Sequence, residues 1–116
     1  MCDQIEILKE KINQFVEERD WDQFHTPKNL TMALSVEVAE LMEHFLWADG
    51  ADSVQVLESK ADEIRQELAD VFIYVLRLSD VCGIDLLGSV EEKLELNHKK
   101  FPEDVVKGSS KKYTEY

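Results

Sequence analysis

Glu37 and Glu40 lie inside the run Met32-Ala33-Leu34-Ser35-Val36-Glu37-Val38-Ala39-Glu40-Leu41-Met42, and Glu67 and Asp70 interrupt Glu67-Leu68-Ala69-Asp70-Val71-Phe72-Ile73-Tyr74-Val75-Leu76. Each pair is spaced i, i+3, which on an α-helix places both carboxylates on one face. An acid on an apolar face is costly to desolvate, and Asp is a poor helix former in mid-helix. Four such groups brought together repel one another unless a cation neutralises them. An all-oxygen ligand set selects a hard divalent ion, Mg²⁺ first, with Mn²⁺ as a substitute. Because Mg²⁺ keeps several waters and shares its remaining positions with substrate phosphates, such a face suits cleavage of a phosphate ester or phosphoanhydride. Asp70 is the most telling of the four, since Leu68, Val71, Phe72 and Ile73 leave it little water-facing surface. Glu43 and Glu63 extend the same rows, and for them a solvated helix face is the simpler reading.

The elements that must position these acids are helical throughout. Ile5, Leu8, Ile12, Phe15 and Val16 recur at helical spacing and predict a first helix over roughly Asp3 to Asp20, with Asp3 and Glu6 in a capping arrangement. Thr26-Pro27 is a cap followed by proline at the first helical position, opening a second helix from Pro27 to about Trp47, before Asp49-Gly50. A third restarts near Asp52-Ser53 and continues to Cys82, where Gly83 ends it. Asp85 caps a fourth, which Pro102 terminates after Lys100-Phe101. The pattern predicts an all-α, four-helix up-and-down bundle over residues 1–102 and an extended tail over residues 103–116, containing Gly108-Ser109-Ser110. With the second and third helices antiparallel and adjacent, Glu37 and Glu40 face Glu67 and Asp70 across the groove. Leu68 to Leu78 is apolar at nearly every position, so the third helix needs burial on almost all sides. That predicts packing across a subunit interface, as a dimer or a dimer of dimers.

At 116 residues the chain is of single-domain size, and 44% hydrophobic with 33% charged residues fits a folded helical protein. A net charge of −12 argues against a surface that grips a nucleic acid polymer, although one nucleotide held through a metal and a few lysines stays open. No apolar run reaches the roughly 18–20 residues of a membrane span, so no membrane partner is expected. The first residues show no basic stretch followed by an apolar one, and Cys2 and Cys82 are isolated. Both features set the expectation of a cytoplasmic location with free thiols.

Glu37-Val38-Ala39-Glu40-Leu41, then Trp47, then Glu67-Leu68-Ala69-Asp70-Val71 and Tyr74 resemble the MazG-like all-α nucleoside triphosphate pyrophosphohydrolases, within them the dCTP pyrophosphatase branch. The resemblance runs from Glu18-Arg19-Asp20-Trp21 through Phe24-His25-x-Pro27-x-Asn29-Leu30 to Ser109-Ser110-Lys111-Lys112-Tyr113-Thr114-Glu115. It implies hydrolysis between the α- and β-phosphates of a deoxynucleoside triphosphate, dCTP or a 5-modified dCTP first, to monophosphate and pyrophosphate. It implies that Glu37, Glu40, Glu67 and Asp70 bind Mg²⁺, that the enzyme is a homotetramer, and that its role is nucleotide-pool sanitation. Trp21, His25 and Trp47 resemble the family's aromatic base pocket, with Asn29 and Tyr74 near it. Aromatic faces stack a flat base while His and Asn offer directional hydrogen bonds to its edge. Lys93, Asn97 and Lys100 share a helix face and resemble the family's phosphate-contacting row before Phe101-Pro102. Lys111, Lys112 and Tyr113 are expected on the same similarity to close over a site. Gln66 and Phe101 depart from the common family residues without removing a proposed ligand.

Two other readings compete. A di-iron carboxylate bundle uses a Glu-x-x-His on each of two helices. Glu95-Leu96-Asn97-His98 supplies one copy, and neither His25 nor His44 has a Glu three residues before it. An acidic helical interaction module explains the charge but leaves Glu37 and Asp70 without a reason.

Overall fold

The computed structural model describes residues 2–110 and 113–115, and all regular structure among them is helical. In chain order it comprises α1 (Cys2–Glu18), a 3₁₀ turn (Asp22–Phe24), α2 (Pro27–Glu43), a 3₁₀ turn (Gly50–Asp52), α3 (Ser53–Ser59), α4 (Ala61–Val81), α5 (Leu86–Lys100), α6 (Glu103–Val106) and a final 3₁₀ turn (Tyr113–Glu115). Two compact units divide the chain, Met1–Gly83 and Ile84–Tyr116. Among the described residues no helix is long and apolar enough to cross a membrane.

In the first unit α4 is the shared support: α2 packs along it, α1 packs on it, and α3 touches it and the preceding 3₁₀ turn. Its core is Val16 from α1, Leu30 from α2, and Ile64 and Leu76 from α4, with Leu30 and Leu76 each 1% exposed. The ends of these helices follow local chemistry. Thr26 Oγ1 accepts from Asn29 N at 3.2 Å and Pro27 occupies the first turn of α2. Gly83, at φ +66°, takes the left-handed conformation that stops the chain after α4. In the second unit Asp85 caps α5 by accepting from Gly88 N at 3.2 Å. A Cβ on residue 88 would stand 2.5 Å from Asp85 Oδ2, so glycine there leaves the cap room to form.

The end of α1 sets up the site. Asp20 N bonds Glu17 O at 3.0 Å and Trp21 N bonds Val16 O at 3.1 Å, the paired reverse bonds of a Schellman motif, with Asp20 left-handed at φ +53°. Gln23 Nε2 donates to both Asp20 O (3.0 Å) and Asp20 Oδ2 (3.1 Å), bracing the turn. The chain therefore doubles back, and Trp21 meets Phe15 edge-to-face at 5.8 Å while the Arg19 guanidinium lies 3.6 Å from the Phe15 ring centre.

The structure departs from the predicted boundaries in three places. The predicted third helix is two helices, broken at Lys60, whose φ −121° and ψ 27° lie outside the α region. The second helix ends at Glu43 rather than Trp47, because Phe45 N to Met42 O and Ala48 N to Phe45 O are three-residue bonds that tighten the chain into turns. The tail is not wholly extended: Pro102 precedes the short α6, whose first turn carries Glu103 and Asp104 where acids favour a helix N-terminus. The side chain of Asp3, and Lys111 and Lys112, lie outside the described residues.

Much of the apolar surface of α4 is open within a single chain, including Leu68 at 56% and Phe72 at 45% exposure. Because the sealed core is small, each member should matter. Leu76→Ala is expected to cost about 2–5 kcal/mol, and Val54→Ala on the exposed side of α3 about 0.5 kcal/mol or less. Urea unfolding of both variants checks this; equal losses would remove α4 as the centre of the unit.

Candidate functional site

The packing of α2 on α4 brings the four acids within reach of one another. Burial, above all, raises the pKa of Glu37, reinforced by the charges on Glu40 and Asp70, a side-chain hydrogen bond with Glu40, and the charge on Glu67. Glu37 Oε2 and Glu67 Oε2 are buried and have no hydrogen-bond partner. His44 Nε2 stands 2.5 Å from Glu67 Oε2, yet neither atom is aligned for a hydrogen bond. Among the described residues no three His, Cys, Asp or Glu side chains already stand in a metal-holding arrangement. The donor chemistry nevertheless fits a hard cation: Glu37 Oε2 and Glu67 Oε2 are buried without a hydrogen bond, and oxygen atoms dominate the cluster. The desolvated member is Glu37 rather than Asp70. Within the chain Asp70 and Glu40 are exposed and Glu37 and Glu67 half-buried, because Leu68, Phe72 and Ile73, expected to wall off Asp70, are themselves exposed.

Beside the acids lies a cavity of about 380 Å³. Leu8, Lys11, Ile12, Phe15 and Val16 of α1 form one wall, Trp21 and His25 the turn beyond it, and Asp70, Ile73, Tyr74 and Arg77 of α4 the other. Trp21, His25 and Tyr74, three of the five residues that the family resemblance groups in a base pocket, thus line one cavity. Asp70 belongs both to this lining and to the acid cluster, and Tyr74 is pushed up in pKa by burial and then by the charges of Glu37 and Asp70. Asn29 and Trp47 are not in the lining. Asn29 Nδ2 donates to Phe24 O at 2.9 Å, bracing the turn, and Trp47 is 93% exposed beyond the end of α2. Lys93, Asn97 and Lys100 belong to α5 in the second unit, the lysines exposed and Asn97 half-buried.

Arg77 is the residue that sequence reasoning passed over. It is 7% exposed, and its guanidinium donates from Nε to His25 Nδ1 (3.1 Å), from Nη1 to Asn13 Oδ1 (2.8 Å) and from Nη2 to Asp22 Oδ1 (2.5 Å). Asn13 Nδ2 in turn donates to Asp80 Oδ2 at 2.8 Å. The available signal was a lone arginine in an otherwise apolar helical run, which implies buried partners.

Burial, then the Arg77 charge, lowers the pKa of His25 below its usual 6.5, with Asp22 opposing. A histidine whose folded value lies below its unfolded one favours the unfolded state once protonated. Its contribution is therefore fully present above about 6.5 and lost as the pH falls below it. The melting temperature of the protein is expected to drop more steeply than that of His25→Gln between pH 7.5 and 5.5, and parallel curves would exclude His25 as the responsible group.

Residues 32–116 match the MazG-like family. Over 104 residues, 88% of this chain, the sequence is 41% identical to dCTP pyrophosphatase 1 of Homo sapiens and 40% identical to that of Mus musculus. These alignments cover 61% of each relative, so the chain spans about three fifths of the length of the curated relatives it matches. A crystal structure of a pyrophosphatase from Archaeoglobus fulgidus DSM 4304 superposes with a TM-score of 0.83 at 41% identity, covering 85% of this chain and 93% of that one.

Proposed function

Since the chain belongs to the MazG-like family, we propose that it is a Mg²⁺-dependent nucleoside triphosphate pyrophosphohydrolase, converting a deoxynucleoside triphosphate, dCTP or a 5-modified dCTP first, to monophosphate and pyrophosphate. The observation that carries this reading is the pair of orphaned buried oxygens, Glu37 Oε2 and Glu67 Oε2, in a cluster that shares Asp70 with an aromatic cavity. The similarity to dCTP pyrophosphatase 1 supports the substrate.

Glu37, Glu40, Glu67 and Asp70 are the residues that would hold Mg²⁺, which when bound supplies charge neutralisation at the phosphoryl oxygens and an activated water. Trp21 and Tyr74 give the base flat, largely apolar walls, and His25 gives it a directional hydrogen bond. On the family pattern Trp47 and Asn29 belong to the same pocket, and Lys93, Asn97 and Lys100 bind phosphate oxygens. The open apolar surface of α4 supports a homo-oligomer, on the family pattern a tetramer of paired subunits. A cytoplasmic place in nucleotide-pool sanitation follows from the same similarity.

Pyrophosphate release from the four dNTPs, the four NTPs and 5-methyl-dCTP, each with and without Mg²⁺, tests the reaction. Metal-dependent release favouring cytosine deoxynucleotides is expected, and release from none of them would overturn the assignment. Glu40→Gln and Asp70→Asn are expected to lower turnover by on the order of 100-fold or more while circular dichroism shows unchanged helix content. Full activity in either variant would remove the four acids as the metal site.

A further inference from the structure

Arginine carries five N–H donors, no acceptor, and a charge it does not lose in proteins. The 3.1 Å contact between Arg77 Nε and His25 Nδ1 therefore runs in one direction only, with the arginine donating and Nδ1 offering a lone pair. A neutral imidazole that accepts at Nδ1 carries its proton on Nε2. The arginine is itself held. Nη2 is fixed by Asp22 and Nη1 by Asn13, and Asn13 can present only its oxygen to Arg77 because its nitrogen is committed to Asp80. Three segments, α1, the Asp22–Phe24 turn and α4, thus determine the state of one ring. Among the described residues nothing accepts from His25 Nε2, and His25 lines the cavity.

We propose that Arg77 is a positioning residue, which holds His25 as a neutral Nε2–H donor so that the ring reads a hydrogen-bond acceptor, a carbonyl oxygen or ring nitrogen, on the edge of a nucleobase in the cavity. The charged and titratable groups sharing that space with His25 are Arg77, Asp22, Lys11, Asp70 and Tyr74. A neutral donor does not neutralise phosphate, so His25 acts on the base and leaves the phosphates to other groups. The apolar and aromatic lining of Phe15, Trp21 and Tyr74 suits the flat ring that such an acceptor belongs to. The role rests on the nucleotide-pocket reading above for its ligand, and on the hydrogen-bond geometry alone for the state of the ring.

The test is a long-range ¹H–¹⁵N spectrum of the full chain labelled with ¹⁵N-histidine near pH 7.5, the His25 signals being those lost in His25→Gln. The expected pattern is the Nε2–H tautomer in the wild type, becoming a mixture in Arg77→Lys, which keeps the charge but not the planar fork. An Nδ1–H or already mixed ring in the wild type overturns the proposal, and that spectrum decides the matter even where Arg77→Lys does not fold. In kinetics, Arg77→Lys is expected to raise KM for the preferred nucleotide about tenfold with kcat within about twofold, the loss of one well-aligned hydrogen bond to the base. A fall in kcat at constant KM would overturn the assignment to base binding. An Nε2–H ring together with no turnover of any nucleotide would support the hold of Arg77 on the ring while overturning the pyrophosphohydrolase reading and with it the base as ligand, so the two fail separately.

Discussion

Burying carboxylates side by side costs free energy twice, in lost hydration and in mutual repulsion, and the first unit is organised around where that cost falls. Glu37 bears most of it, because α2 must press its apolar residues against α4 and the i, i+3 spacing carries the acids into the same seam. Glu40 and Asp70 stay exposed to water. Glu67 is turned inward, where His44 touches one oxygen without a hydrogen bond. The proposed Mg²⁺ would offset both costs.

The same helix carries a second polar cluster of opposite logic. Around Arg77 the donors Nε, Nη1 and Nη2 each find an acceptor: His25, Asn13 and Asp22 take the guanidinium, and Asn13 and Lys9 reach Asp80, Lys9 at 3.6 Å. The outer contact to Lys9 is long and only half-buried, whereas Arg77 is sealed, and removing a partner there would strand a charge. The satisfied network therefore fixes α1 and the Trp21–His25 turn on α4, and the unsatisfied acids lie next to it. Asp70 and Tyr74 stand where the two meet.

Local chemistry was the part that could be read from the sequence. Thr26-Pro27, Gly83 and Asp85 each act through neighbours a few residues away, and each ends or begins a helix as expected. The four acids were also legible, since periodicity alone puts Glu37 with Glu40 and Glu67 with Asp70 on common faces. What escaped depends on distant partners or on small backbone energies. Arg77 finds Asn13, Asp22 and His25 at separations of 52 to 64 residues, which no window along the chain reveals. Lys60 breaks a segment whose composition is helical throughout, and the tightening after Glu43 turns on the choice between three- and four-residue hydrogen bonds. The burial assigned to Asp70 failed because apolar neighbours wall off a carboxylate only when something covers them in turn.

Every buried apolar side chain among the described residues, Val16, Leu30, Ile64 and Leu76, belongs to the first unit, and α5 buries none. Amide hydrogens along the middle of α4 would therefore exchange with solvent only when the whole unit opens, whereas those of α5 would exchange through local fraying at far lower free energy. The left-handed residue Gly83 closes the first compact unit. Slow exchange along α5 would then point to a surface supplied from outside its own unit.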